Sequence, residues 1–105
     1  MRMLVKVPIP LEHGNAMIRQ GTLGSTIQQI LAELKPEAAY FAEFNGERTG
    51  FIVVNIAKES DIPSVAEHFF LGLNAKAEFH PAMTPEDLAA AMPALQKAAA
   101  QYPGK

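Results

Sequence analysis

"EAAYFAEFNGERTGFIVVNIA", residues 37–57, decides the fold of this chain. Residues 37–44 are rich in Ala, Tyr and Phe, and residues 49–57 in Ile and Val, so both segments read as strands. Between them "NGER" carries Asn45-Gly46, the strongest short-range signal for a tight hairpin turn. Strand alternation then sorts the side chains into two faces. Tyr40, Ala42 and Phe44 oppose Ala39, Phe41 and Glu43; Ile52, Val54 and Ile56 oppose Phe51, Val53 and Asn55. A sheet with helices on one side should be apolar inside and polar outside. Here both faces call for burial.

An exposed sheet face carrying Phe and Val is a patch that soluble monomers rarely tolerate. The economical solution is a homodimer with the two sheets packed face to face. At roughly 25 cal/mol per Å² of apolar area, even a modest contact is worth many kcal/mol before association costs. The alternative is that the last helix folds back over the second face of its own sheet. That helix is mostly alanine, so its apolar reach is limited.

Working outward, residues 3–9, "MLVKVPI", form a first strand that ends in a proline-punctuated turn. Residues 12–35 read as a helix, with Leu23, Ile27, Ile30, Leu31 and Leu34 on one face and Pro36 as its stop. A second helix spans 60–73, opened by Ser60 and Asp61 as capping residues. Residues 75–83 alternate as a fourth strand, which Pro81 places at an edge or a strand end. From Thr84 a capping-box-like start leads into a last helix, bent or broken near Pro93. The order β-α-β-β-α-β plus a terminal helix predicts an α+β, ferredoxin-like fold. In it, four antiparallel strands carry two helices on one face.

The bulk numbers fit one domain over 1–105. With 49% hydrophobic and 19% charged residues, the chain suits a packed core and not disorder. A net charge of −2 supplies no general attraction to a phosphate backbone. There is no cysteine, which excludes disulfides, thiol catalysis and thiolate metal sites and fits the cytoplasm. The N-terminal apolar run is broken by Lys6, Pro8 and Pro10, so neither a signal peptide nor a membrane span is expected.

Inside the first helix, "IRQGTLGSTIQQIL" (18–31) spaces Gly21, Gly24, Ile27 and Ile30 as G-x-x-G-x-x-I-x-x-I. That spacing resembles the RNA-gripping loop of a KH domain. The loop positions are Thr22 and Leu23, where such a loop carries Lys, Arg or a small residue. Nearby charge is sparse, with Arg19 adjacent and Lys35 distant, and the fourth strand and last helix have no place in the minimal KH plan. No nucleic-acid partner is therefore expected. Each helical Gly costs about 1 kcal/mol against Ala, so the pair marks a kink or short break. Ser25-Thr26-Ile27-Gln28 is read as a capping box that restarts the helix after Gly24.

"KPEAAYF" and "LNAKAEFHPAMTPEDL" are the most distinctive stretches of a resemblance covering nearly the whole chain. The sequence resembles small, mostly uncharacterised bacterial proteins of the dimeric α/β-barrel superfamily. That superfamily includes cofactor-independent monooxygenases, muconolactone-type isomerases, haem enzymes and proteins of unknown role. The group transfers no catalytic motif, and fold alone does not choose among these functions.

Candidate chemistry centres on His80. It shares a strand face with Lys76 and Glu78, opposite Ala77 and Phe79. If that face looks between two sheets, titratable groups enter an apolar cavity suited to acid/base work. Lys6 can face the same space, and Tyr40, Glu43 and Asn55 are candidate ligand-binding groups. The competing reading is a solvated edge whose charges do nothing. His13 is expected in the loop after the first strand and His68 on the polar side of a helix; the three histidines lack metal-binding spacing. No G-x-G-x-x-G follows a strand and no Gly-Lys-Ser/Thr occurs, so no nucleotide cofactor is expected. A haem would need His80 or His68 as axial ligand, and no characteristic motif surrounds either. The expectation is a small-molecule ligand in a sheet-lined cavity, with no cofactor or metal. A cofactor-free isomerase or monooxygenase-type enzyme using His80, Glu78 or Lys6 is the alternative, and a KH-like RNA binder the third reading.

Overall fold

Strands and helices follow the hydrophobic pattern closely. In the computed structural model, which describes residues 1–104, β1 (Arg2–Pro8) leads into α1 (Leu11–Gln20) and α2 (Leu23–Leu34). The hairpin β2 (Ala38–Phe44) and β3 (Glu47–Asn55) follows, then α3 (Ile62–Leu73) and β4 (Glu78–Pro81). Two last helices, α4 (Pro85–Ala90) and α5 (Met92–Gln101), close the described chain. The fold is α+β. Its four-stranded sheet has the order β2-β3-β1-β4 and is antiparallel throughout.

One sheet face makes the core. Met3, Val5 and Val7 of β1 and Ile52 and Val54 of β3 pack with Met17, Leu23, Ile30, Phe69 and Leu73 from α1, α2 and α3. Val5 and Phe69 are completely enclosed, at 0% and 1% exposure. Asn45 and Gly46 turn the hairpin with φ of 53° and 80°, as the Asn-Gly pair predicts. Phe41 lies directly opposite Gly50, and its ring occupies the place of a side chain there; a Cβ on Gly50 would sit 3.1 Å from it.

The first predicted helix is two helices, and the break is sharper than expected. Gly21 adopts the left-handed conformation (φ 74°) and ends α1. Its N–H donates to the Ile18 carbonyl and that of Thr22 to the Met17 carbonyl, the paired bonds of a Schellman motif. α2 already begins at Leu23, so Gly24 lies within its first turn. Ser25 does not cap a restarted helix; its hydroxyl donates to the Thr22 carbonyl at 3.1 Å. Burial of Leu23 explains the earlier start, because a helical residue there turns its side chain into the core.

Two further boundaries differ from the expectation. Residues Glu59–Asp61 form a short 3-10 turn, and neither Ser60 nor Asp61 supplies a side-chain cap to α3. Pro63 lies in the first turn of α3, where its missing N–H needs no partner. β4 is confined to four residues, the stretch that pairs with Met3–Lys6 of β1.

After β4 the chain does not return over its own sheet. Thr84 and Asp87 form a reciprocal capping box, and Asp87 also approaches Arg2 of β1 at 3.7 Å. Pro93 cannot donate to the preceding turn, and the helix breaks around Ala91 as predicted. Every residue of α4 and α5 is exposed. The molecule measures 58 × 31 × 20 Å with a radius of gyration of 17.7 Å, against about 13 Å for a compact chain of this length. The excess is the α4–α5 arm. The second sheet face is left open.

Candidate functional site

The register assembles the open face row by row. Glu78 stands opposite Lys6, Lys6 opposite Phe51, and Phe51 opposite Tyr40, so one row crosses all four strands. The neighbouring row runs His80, Leu4, Val53, Ala38. Charged and titratable groups therefore collect on the β4–β1 side and aromatic groups on the β3–β2 side. Leu4, Phe51 and Val53 are half-buried, whereas Tyr40 is 71% exposed.

Lys6 joins the two halves. Its Nζ lies 3.7 Å from the centroid of the Phe44 ring and 3.9 Å from Glu78 Oε2. Phe44 in turn meets Phe51 edge to face at 6.0 Å. An ammonium over a ring face is held by the ring quadrupole, which fixes where this cation sits without consuming its hydrogen-bond donors. The other Glu78 oxygen, Oε1, lies 3.6 Å from His80 Nε2. That is ion-pair range and longer than a hydrogen bond. Glu78 thus stands between an ammonium and an imidazole. A recess of about 240 Å³ opens at the Lys6 end, lined by Pro8, Pro10, Phe44, Lys76 and Glu78 among others.

The remaining candidates are dispersed. Asn55 lies at the far end of the open face, where its Oδ1 accepts from the Met1 amino group at 3.0 Å. Glu43 projects from the opposite face of β2 and closes the hairpin by accepting the Gly46 N–H at 2.7 Å. His13 lies within α1, not in a loop, and His68 lies on α3; neither approaches the Lys6 row. Among the described residues, no group of three or more His, Asp or Glu is placed to hold a metal ion. Among the same residues no helix is long and apolar enough to cross a membrane.

A second concavity escaped the sequence reading. A groove of about 520 Å³ runs between the hairpin and the α1–α2 joint, lined by Leu11, Leu23, Ile27 and Phe41 with Glu43, Glu47 and Arg48. Arg48 Nη1 is buried without a hydrogen-bond partner; a Cβ on Gly14 would lie 3.0 Å from it. The available signal was Arg48 itself, a cation at an inward position of an apolar strand.

The fold lowers the pKa of Asp87. The backbone N–H of Thr84 and then its hydroxyl hold the Asp87 carboxyl below the usual aspartate range, with Arg2 adding to the effect. It belongs to the start of the arm and not to the Lys6 row.

Compared with known proteins, the chain matches no family model, no curated protein and no solved structure.

Proposed function

We propose that this chain is a ferredoxin-like domain that works as a homodimer, its open sheet faces packed together as in a dimeric α/β barrel. A small organic ligand binds in the space between them. The strand order β2-β3-β1-β4, with helical connections on one face, supports the split-βαβ assignment. The observation that carries the proposal is the open face itself: a half-buried apolar centre with Lys6 fixed between Phe44 and Glu78. Covering that face with a second copy would desolvate the charged row. A ligand with an apolar body and an anionic group matches such a lining, since Lys6 offers a cation beside aromatic rings. The absence of cysteine fits work in the cytoplasm.

The His80–Glu78 pair favours one further reading, a cofactor-free isomerase or monooxygenase-type enzyme. There Glu78 would orient the imidazole and His80 would move a proton on the bound molecule. Nucleic-acid binding has less support, because the groove lined by Leu23 and Ile27 sets Glu43 and Glu47 against Arg48. Two measurements test the proposal. Light scattering at micromolar concentration should give a dimer, and native mass spectrometry should show a co-purifying small molecule that Lys6→Met loses. A monomer by scattering would sink the dimer. A dimer that retains an identical ligand in Lys6→Met would remove this face as the binding site.

A further inference from the structure

The α4–α5 arm is the strangest part of the molecule as a free surface. Between Leu88 and Gly104 only Lys97 carries a charge, whereas a helix bathed in water normally keeps a charged face. Leu88, Met92, Leu95 and Tyr102 recur at spacings of four, three and seven, and each is 44% or more exposed. At about 100° per residue Met92 and Leu95 share one side of α5 and Lys97 falls on the opposite side, while Leu88 lies in α4 before the break and Tyr102 directly follows the last residue of α5. α5 is therefore amphipathic, with its apolar side facing nothing.

Its own domain does not supply the partner. The Arg2–Asp87 contact ties the root of the arm to the rim of the open sheet face, and the helices then run away from the sheet. Area arithmetic points to the second copy. Strands about 4.8 Å apart and about 3.3 Å per residue give the open face a footprint of roughly 400 Å², so two faces bury about 800 Å² together. Specific, stable interfaces bury about 1,200–2,000 Å². Each arm is about 26 Å long at 1.5 Å per residue, and a stripe about 10 Å wide buries roughly 500 Å² counting both surfaces. Two arms bring the total to about 1,800 Å², which reaches the size of a stable interface.

We infer that the α4–α5 arm is a dimer clasp: the Met92–Leu95 stripe of each chain, with Leu88 before it and Tyr102 after it, lies on the second copy. This rests on the face-to-face dimer proposed above, and adds that the sheet faces alone do not hold it. The test compares three full-length chains by sedimentation equilibrium. They are the unaltered protein, Met92→Glu with Leu95→Glu on the stripe, and Ala94→Glu with Gln101→Glu on the opposite side. All four positions are exposed, and circular dichroism checks that each chain is folded. The expected result is a dimer whose Kd rises about tenfold or more in the stripe variant alone. Equal Kd values for all three, or equal weakening in both variants, would overturn the clasp and leave the sheet-packed dimer standing. A monomeric unaltered chain would overturn both.

Discussion

Substituting the two glycines of "GTLG" by alanine, one at a time, should shift stability in opposite directions. Gly21 has φ of 74° and ends α1, whereas Gly24 lies in the first turn of α2 without a positive φ. An added Cβ meets nothing within 4 Å at either position, so packing does not enter and the backbone decides. Gly21→Ala forces an L side chain into the left-handed region and should cost about 1–2 kcal/mol. Gly24→Ala removes helical glycine entropy and should gain about 0.5–1 kcal/mol. The two variants should differ by about 1.5–3 kcal/mol. At roughly 4–8 °C per kcal/mol for a domain near this size, their melting temperatures should lie about 6–24 °C apart. Urea and thermal unfolding followed by circular dichroism measure the two differences, at one fixed protein concentration because association would add its own stabilisation. Gly21→Asn should lose less than Gly21→Ala, since Asn tolerates the left-handed region. If Gly24→Ala also destabilises, the two glycines form one loop and the joint described above is wrong.

Phe69→Ala should cost about 3–5 kcal/mol, because an enclosed ring leaves a cavity between α3 and the sheet; a loss below 1 kcal/mol in urea unfolding would contradict that packing. Lys6→Met removes a cation held on the Phe44 ring and should change stability by less than about 1 kcal/mol, so a much larger loss by the same assay would mean that Lys6 is structural. For Asp87 the pKa is lowered in the folded chain, so its carboxylate supports the start of α4 at every pH above the ordinary aspartate range. That support is lost as pH falls through the lowered pKa. Thr84→Ala removes the hydroxyl and keeps the Thr84 N–H, so the Asp87 carboxyl titration, followed by NMR, should move only part of the way back toward the ordinary range; a complete return would disprove the backbone N–H as the main cause.

The hairpin was fully legible because its information is local: Asn45-Gly46 makes the turn, and alternation assigns each side chain a face. The same alternation already placed Glu43 on the face opposite Tyr40, apart from the Lys6 row. The break at Pro93 was legible from a missing donor. The exact joint in the first helix was not, because two glycines at helical spacing look alike until burial of Leu23 decides which one bends. Nor was the course of the last helix, whose direction depends on tertiary contacts and not on its own periodicity. Of the site, the Lys6–Glu78–His80 cluster follows from strand pairing, but the seat of Lys6 on Phe44 requires a ring from β2 that no linear pattern connects to β1.

Gly50 has a consequence for how reliably the sheet assembles. β3 pairs on both sides, with Gly50 opposite Phe41 of β2 and Val7 of β1, and β1 in turn aligns β4. Sliding β2 by two residues would keep its faces but bring Phe41 against Ile52 or Arg48, where a side chain occupies the ring's seat. The missing side chain therefore acts as an alignment mark. It disfavours a two-residue slip of the hairpin, and the strands aligned through β3 share the offset that it sets.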